Sequence, residues 1–257
     1  MKLFFRELGE GEPVIILHGL FGSSDNWLTQ AKLFATQYKV YSLDLRNHGL
    51  SPHSDDFDYP SMVSDLEEFF AERQIQNPVV MGHSMGGKVA MNFALAHPDN
   101  VAKLIVVDIS PKSYNLEHYA IVEGLKAIPI ETVTSRNEAD EILSHHVPES
   151  DVRQFLLKNL QRKSAGGFTW KINLPVIGEK LTNIGADLQF SGQFKKPTLF
   201  IRGAKSKYIS DSDWKRITEV FPNAQLETMD TGHWVQAEKP KEFAEKVMQW
   251  LTSVKTA

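Results

Sequence analysis

Short apolar runs bounded by Gly, Pro or Asp alternate along this chain with longer amphipathic stretches. The runs 14–18 (VIILH), 39–45 (KVYSLDL), 78–82 (PVVMG), 103–108 (KLIVVD), 197–203 (PTLFIRG) and 224–229 (AQLETM) predict β-strands. The first five are apolar nearly throughout, as parallel strands covered on both faces should be. Between them, residues 61–73 set Met62, Val63, Leu66, Phe69 and Phe70 on one helical face, with Ser61 expected as the N-cap. Residues 85–97 predict a second helix that stops at Pro98. Pro240 opens a last one that turns Phe243, Val247, Trp250 and Leu251 inward. This strand–helix alternation predicts an α/β fold with a parallel sheet.

From about residue 110 to 190 the alternation lapses. The segments EADEILSHHV and DVRQFLLKNLQ read as helices, and no strand is expected before Pro197. An all-helical insertion over residues 111–190 is therefore expected. It would interrupt a core domain made of 1–110 and 191–257 and cap the C-terminal ends of its strands, where such sheets carry their ligands.

Composition narrows the possible chemistry. The 257 residues are 42% hydrophobic and 23% charged, enough for a sizeable core. A net charge of -4, with no block of basic residues, argues against a nucleic-acid partner. No run approaches the roughly 18 apolar residues of a membrane span. The first residues, MKLFFRELGEGEP, lack the apolar core and cleavage site of a secretory signal, so the cytoplasm is the expected compartment. There is no cysteine, which excludes a thiolate metal site and a thiol nucleophile.

The segment GHSMGGKV, residues 82–89, admits two readings. As Gly82, four residues, Gly87 and Lys88 it approaches a phosphate-binding loop, but that loop needs Ser or Thr after the lysine, and here Val89 follows. As Gly82-His83-Ser84-Met85-Gly86 it is a nucleophile elbow, and a strand before it and a helix after it supply the required setting. Ser84 is the expected nucleophile. A serine hydroxyl needs a base to take its proton. His233 lies in the loop between the last strand and the Pro240 helix, where the template Ser, acid, His puts it. His83 is expected to pack rather than react, and the adjacent His145 and His146 do not share a helical face. The oxyanion of an acyl-transfer intermediate needs two fixed donors. The amide of Met85 is one; LHGLFGSS after the first predicted strand offers the other, Leu20 first and Phe21 next, with His18 and Gly19 shaping the loop.

The segments LHGLFGSSDNW, DLRNHGLS, GHSMGG and DTGHWVQAEKP, in this order, resemble the α/β-hydrolase superfamily over residues 14–251. The resemblance implies a mostly parallel eight-stranded sheet flanked by helices, a helical cap, a Ser-His-acid triad and no cofactor. It also implies that the turn with Asp44, Arg46 and Ser51 is structural. The chain departs from the pattern at the acid: where many members carry Asp after the strand PTLFIRG, Ser206 stands. Asp211 and Asp213 follow but read as the first turn of the helix DSDWKRITEVF. Asp108 closes the run KLIVVD, and a carboxylate ending a buried strand must be paired. VVDISP with Ser206 resembles a branch of small esterases and thioesterases, related to a mitochondrial abhydrolase, that has its acid after the sixth strand. Asp108 is thus the expected acid, with Asp211 or Asp213 as alternatives.

The expected chemistry is hydrolysis of a small acyl ester or thioester through an acyl-enzyme, with no metal. Phe21, Trp234 and Tyr208 border the catalytic loops and are expected to touch substrate; Tyr114, Tyr119, Phe155, Phe168 and Trp170 lie in the insertion. Lys112, Arg162 and Lys163 are expected to be solvated rather than bound to acyl-CoA phosphates. A perhydrolase, carbon–carbon hydrolase or lyase could share the triad, and a ligand receptor could share the fold. An elbow serine instead of a carboxylate argues against a haloalkane dehalogenase.

Overall fold

Each long apolar run becomes a strand because side chains on both its faces find cover. The computed structural model describes residues 1–115, 118–164 and 166–254, and every candidate residue named above is among them. The main sheet contains β1 (Phe5–Leu8), β2 (Pro13–Leu17), β3 (Lys39–Leu43), β4 (Val79–His83), β5 (Lys103–Val107), β8 (Thr198–Gly203) and β9 (Ala224–Met229). Their order is β1-β3-β2-β4-β5-β8-β9, and every pairing is parallel except β1 with β3. Alternate residues face two separate cores. Ile15, Leu17, Val80, Leu104 and Val106 meet α2 (Tyr59–Arg73) and α3 (Met85–Ala96) on one side. Val14, Ile16, Met81, Ile105 and Val107 meet α1 (Leu28–Phe34) and α11 (Pro240–Ser253) on the other.

Three expectations need correction. The sheet has seven strands, not eight. Residues 1–4, ahead of β1, do not pair as another strand: Leu3 is buried in the core, and the Met1 amine turns to α2, bonding Asp65 at 2.8 Å and also Glu68. The strand expected to be sixth is therefore β5 in chain order. Helix α2 starts two residues early, at Tyr59, because Asp58 is its N-cap: the carboxylate accepts the Ser61 amide at 2.8 Å, and Pro60 fits the first turn.

The insertion is also not wholly helical. Between β5 and β8 lie α4 (Tyr119–Ala127), α5 (Arg136–Ser144), α6 (Ser150–Leu157), α7 (Leu174–Glu179) and α8 (Leu181–Gly185). A two-stranded antiparallel hairpin, β6 (Leu160–Arg162) with β7 (Phe168–Trp170), sits among them. Gly166 and Gly167, both at positive φ, make its turn. The hairpin buries Leu160 and Phe168 and leaves Gln161 and Arg162 exposed, and its three-residue strands are too short for a periodic apolar pattern. The remaining helices, α9 (Trp214–Val220) and α10 (Val235–Glu238), flank β9.

Candidate active site

The chain passes from β4 straight into α3, and Ser84 is the hinge, at φ 52° and ψ -117°. L-residues adopt that conformation only when their surroundings enforce it. The Ser84 amide donates to Val107 O at 3.0 Å, and the glycines let the backbones close in. A Cβ on Gly82 would overlap the Gly86 carbonyl, and one on Gly86 would overlap the carbonyl oxygens of Leu17 and His18. The hydroxyl of Ser84 is half-buried and forms no hydrogen bond among the described residues. Lys88, the residue a phosphate loop would direct at its ligand, is buried instead and donates to the carbonyls of Lys112 and Ala186.

The structure brings Asp108 and His233 together, with His233 Nδ1 2.7 Å from Asp108 Oδ2. Asp108 follows β5 directly, at φ 50°, and is fully buried. Its charge is compensated by three donors: Nδ1–H of His233, the Gly203 amide at 3.0 Å and the Ser206 hydroxyl. Ser206 thus stands where many family members carry Asp, and its hydroxyl donates to Asp108. Asp211 and Asp213 lie elsewhere. Asp211 is exposed and paired with Arg202; Asp213 takes Lys112 Nζ at 2.8 Å and caps its helical turn through Ser210.

Two further contacts fix the His233 ring. Tyr208 stacks on it, with centroids 4.1 Å apart and planes inclined by 23°. His83 donates from Nε2 to the His233 carbonyl at 2.9 Å, and burial holds the His83 pKa well below its ordinary value, so that ring is neutral. His83 therefore packs and restrains, as expected.

A pair of buried histidines sets the loop after β2. His18 donates from Nδ1 to Gly19 O at 2.8 Å and accepts the Leu45 amide at 2.9 Å. His48 donates to Arg46 O at 2.9 Å and accepts the Phe21 amide at 3.2 Å. Burial pushes His18 down to about 4 and His48 down to about 3, so both stay neutral and can accept. The Phe21 amide is thereby committed to His48. The amides of Leu20 and Met85 have no protein acceptor among the described residues, and both residues border one small cavity with Ser84. Asp44 takes the amides of Ser24 and Leu50, while Arg46 grips Asp65 with two bonds of 2.7 and 2.8 Å. That turn is structural.

Ser84 and His233 open onto a cleft of about 360 Å³ between core and insertion, bordered by Phe21, His118, Phe155 and Trp234. Phe155 and Trp234 pack together at 5.4 Å. Tyr208 and Tyr114 border the small cavity instead. The other insertion aromatics stand apart from both: Tyr119 is 53% exposed, whereas Phe168 and Trp170 pack into the core. Lys112, Arg162 and Lys163 are all engaged, with Asp213, the Thr134 carbonyl and Glu131 respectively. His145 and His146 are exposed.

Three polar residues of the site were not assigned a role from sequence. Ser206 was signalled only by the missing acid, and His48 by its place in DLRNHGLS. His118, whose buried Nδ1 has no partner among the described residues, had no signal at all. Among the described residues there is no cluster of three or more His, Asp or Glu suited to a metal, and no helix long and apolar enough to cross a membrane.

Comparison with known proteins fits this geometry. Residues 12–139 match the family model described as the alpha/beta hydrolase fold. The chain is 40% identical over 252 residues to the sn-1-specific diacylglycerol lipase ABHD11 of Danio rerio, covering 95% of this chain and 79% of that protein. It is 33% identical to Esterase YbfF of Escherichia coli, covering 93% and 92%. A solved structure described as a marine microorganism esterase superposes with a TM-score of 0.94 at 43% identity, covering 97% and 99%. The chain belongs to the α/β-hydrolase family and, within it, to the small esterases and lipases that hydrolyse carboxylic esters.

Proposed function

We propose that this protein is a serine esterase acting on short- to medium-chain acyl esters, and on the corresponding thioesters, through Ser84, His233 and Asp108. Residues 111–190 serve as the cap over a core of 1–110 and 191–257. The observation that carries this reading is the 2.7 Å contact between His233 and the buried Asp108, with Ser84 opening onto the same cleft as His233.

Asp108 accepts Nδ1–H and so leaves Nε2 of His233 with its lone pair free. Nε2 takes the Ser84 proton as Oγ bonds to the acyl carbon. The carbonyl oxygen becomes an oxyanion held by the amides of Leu20 and Met85. When the intermediate collapses, the bond to the alcohol or thiol breaks and the leaving atom receives the proton from Nε2. Water then repeats both steps on the acyl-enzyme and restores Ser84. The names of the relatives, a diacylglycerol lipase and an esterase, support an ester as substrate.

The direct test is steady-state hydrolysis of p-nitrophenyl acetate and butyrate by the wild type and Ser84→Ala. Loss of a triad serine lowers kcat by about 10⁶, so turnover in the variant should be undetectable. A variant retaining a tenth of the activity would refute the assignment.

A further inference from the structure

Two cavities meet at Ser84, and they are unequal. The cleft of about 360 Å³ includes His233 and Trp234 in its walls. The second cavity, about 20 Å³, includes Met85 but neither His233 nor Trp234; Leu20, Ser84 and His118 border both. If Ser84 is the nucleophile as proposed above, the chemistry decides which part of the substrate enters which space. The leaving atom must take its proton from His233, so the leaving group extends into the cleft that His233 lines. The oxyanion sits at the Leu20 and Met85 amides. The remaining substituent of the tetrahedral carbon is the acyl chain, and the space beside the oxyanion donors that His233 itself does not border is the small cavity.

Buried side chains border that cavity. Its lining includes Tyr59, Lys88, Ile109 and Ile184, none more than 5% exposed. Hydrogen bonds tie core to insertion around it. Tyr59 donates from its hydroxyl to Ile184 O at 2.6 Å, and Lys88 to Ala186 O at 2.8 Å. Tyr114 donates from its hydroxyl to Tyr208 O at 2.5 Å while accepting the Ser110 amide at 2.8 Å. A space of about 20 Å³ holds one water-sized group, about what the methyl of an acetyl group fills. A longer chain would have to displace packed side chains and break these bonds, and close-packed interiors resist that.

We infer that the small cavity is the acyl pocket, and that within the short- to medium-chain range the protein prefers esters with a two- or three-carbon acyl group and a bulky apolar leaving group. The selectivity is thus asymmetric: strict on the acyl side and permissive on the alcohol or thiol side.

Two substrate series test this. In the first, p-nitrophenyl acetate, propionate, butyrate, hexanoate and octanoate vary the acyl group alone. In the second, acetate esters of methanol, butanol, octanol and 2-phenylethanol vary the leaving group alone. Because one misfitting methylene is discriminated by about tenfold or more, kcat/KM should fall at least tenfold from acetate to hexanoate. Across the acetates it should rise with alcohol size. Ile184→Ala, which enlarges the pocket, should raise the hexanoate-to-acetate ratio of kcat/KM at least tenfold. A wild-type profile that is flat, or that peaks at hexanoate or beyond, overturns the acyl-pocket assignment while leaving Ser84 as nucleophile intact, provided Ser84→Ala is inactive. Absence of turnover on every ester would instead remove the proposed function, and the pocket with it.

Discussion

At the tips of β4 and β5 the backbone itself is committed, whereas the insertion that covers them rests on ordinary backbone and exchangeable side chains. Ser84 and Asp108 both hold positive φ, wedged among carbonyls that tolerate no added atom at Gly82 or Gly86. In the insertion, among the described residues, only Gly166 and Gly167 do so, at a hairpin turn away from the cleft. Its contribution to the cleft includes Ile121, Val152 and Phe155, apolar groups that similar ones could replace. The difference teaches where each property resides. On the proposed assignment, rate depends on strand tips whose geometry is over-determined, and the fit of the leaving group on a cover whose apolar groups others could replace.

The sharpest way to break this contrast is at the acid. Asp108→Asn preserves shape but replaces the acceptor that fixes the His233 tautomer, and kcat should fall by about 10⁴. A fall of less than tenfold on p-nitrophenyl acetate would place the acid elsewhere.

The two buried histidines beneath the loop after β2 give the next largest effect, on stability. His18 and His48 stay neutral in the folded chain down to about pH 4 and 3, while in the unfolded chain they titrate near the ordinary 6.5. Below 6.5 the unfolded chain binds protons that the folded one refuses, so stability is lost as pH falls from about 6.5 toward 4. The slope is about 1.4 kcal/mol per pH unit for each ring. Urea unfolding at pH 7, 6 and 5 should show the decline, and His48→Gln should make it shallower. Equal slopes in variant and wild type would mean that His48 is not a buried neutral ring.

The smallest effect belongs to the insertion. Phe155→Ala removes one wall of the large cleft and should raise KM for an apolar ester about three- to tenfold with kcat nearly unchanged, the pattern of lost uniform binding. A kcat loss as large as the KM change would show that the cover also shapes the transition state and would blur the contrast.

The same division explains what the sequence made legible. The elbow and the His233 loop can be read because the chemistry fixes residue types at short spacings: Gly-x-Ser-x-Gly on a tight turn, and a histidine after the last strand. Five parallel strands can be read because burial on both faces leaves unbroken apolar runs. β1 leaves no trace in the pattern because its sequence, FREL, alternates with charge and is only half-buried. The hairpin β6–β7 is too short to show in the pattern, and Ser61 resembles an N-cap although Asp58, ahead of a helix-opening proline, holds that place. The partnership of Ser206 with Asp108 joins residues far apart in the chain, and no local pattern encodes it.

That the proposed nucleophile and acid come from neighbouring strands, while the proposed base follows β9, has a consequence for how activity arises during synthesis. Chains emerge at about 5–20 residues per second, so Ser84 and Asp108 leave the ribosome together, and the entire insertion, β8 and β9 must follow before His233 appears. A chain stopped short of β9 carries a serine with no base to activate it. On the proposed assignment, ester turnover reports that the C-terminal segment has been made and has docked, and stalled or truncated products stay chemically silent.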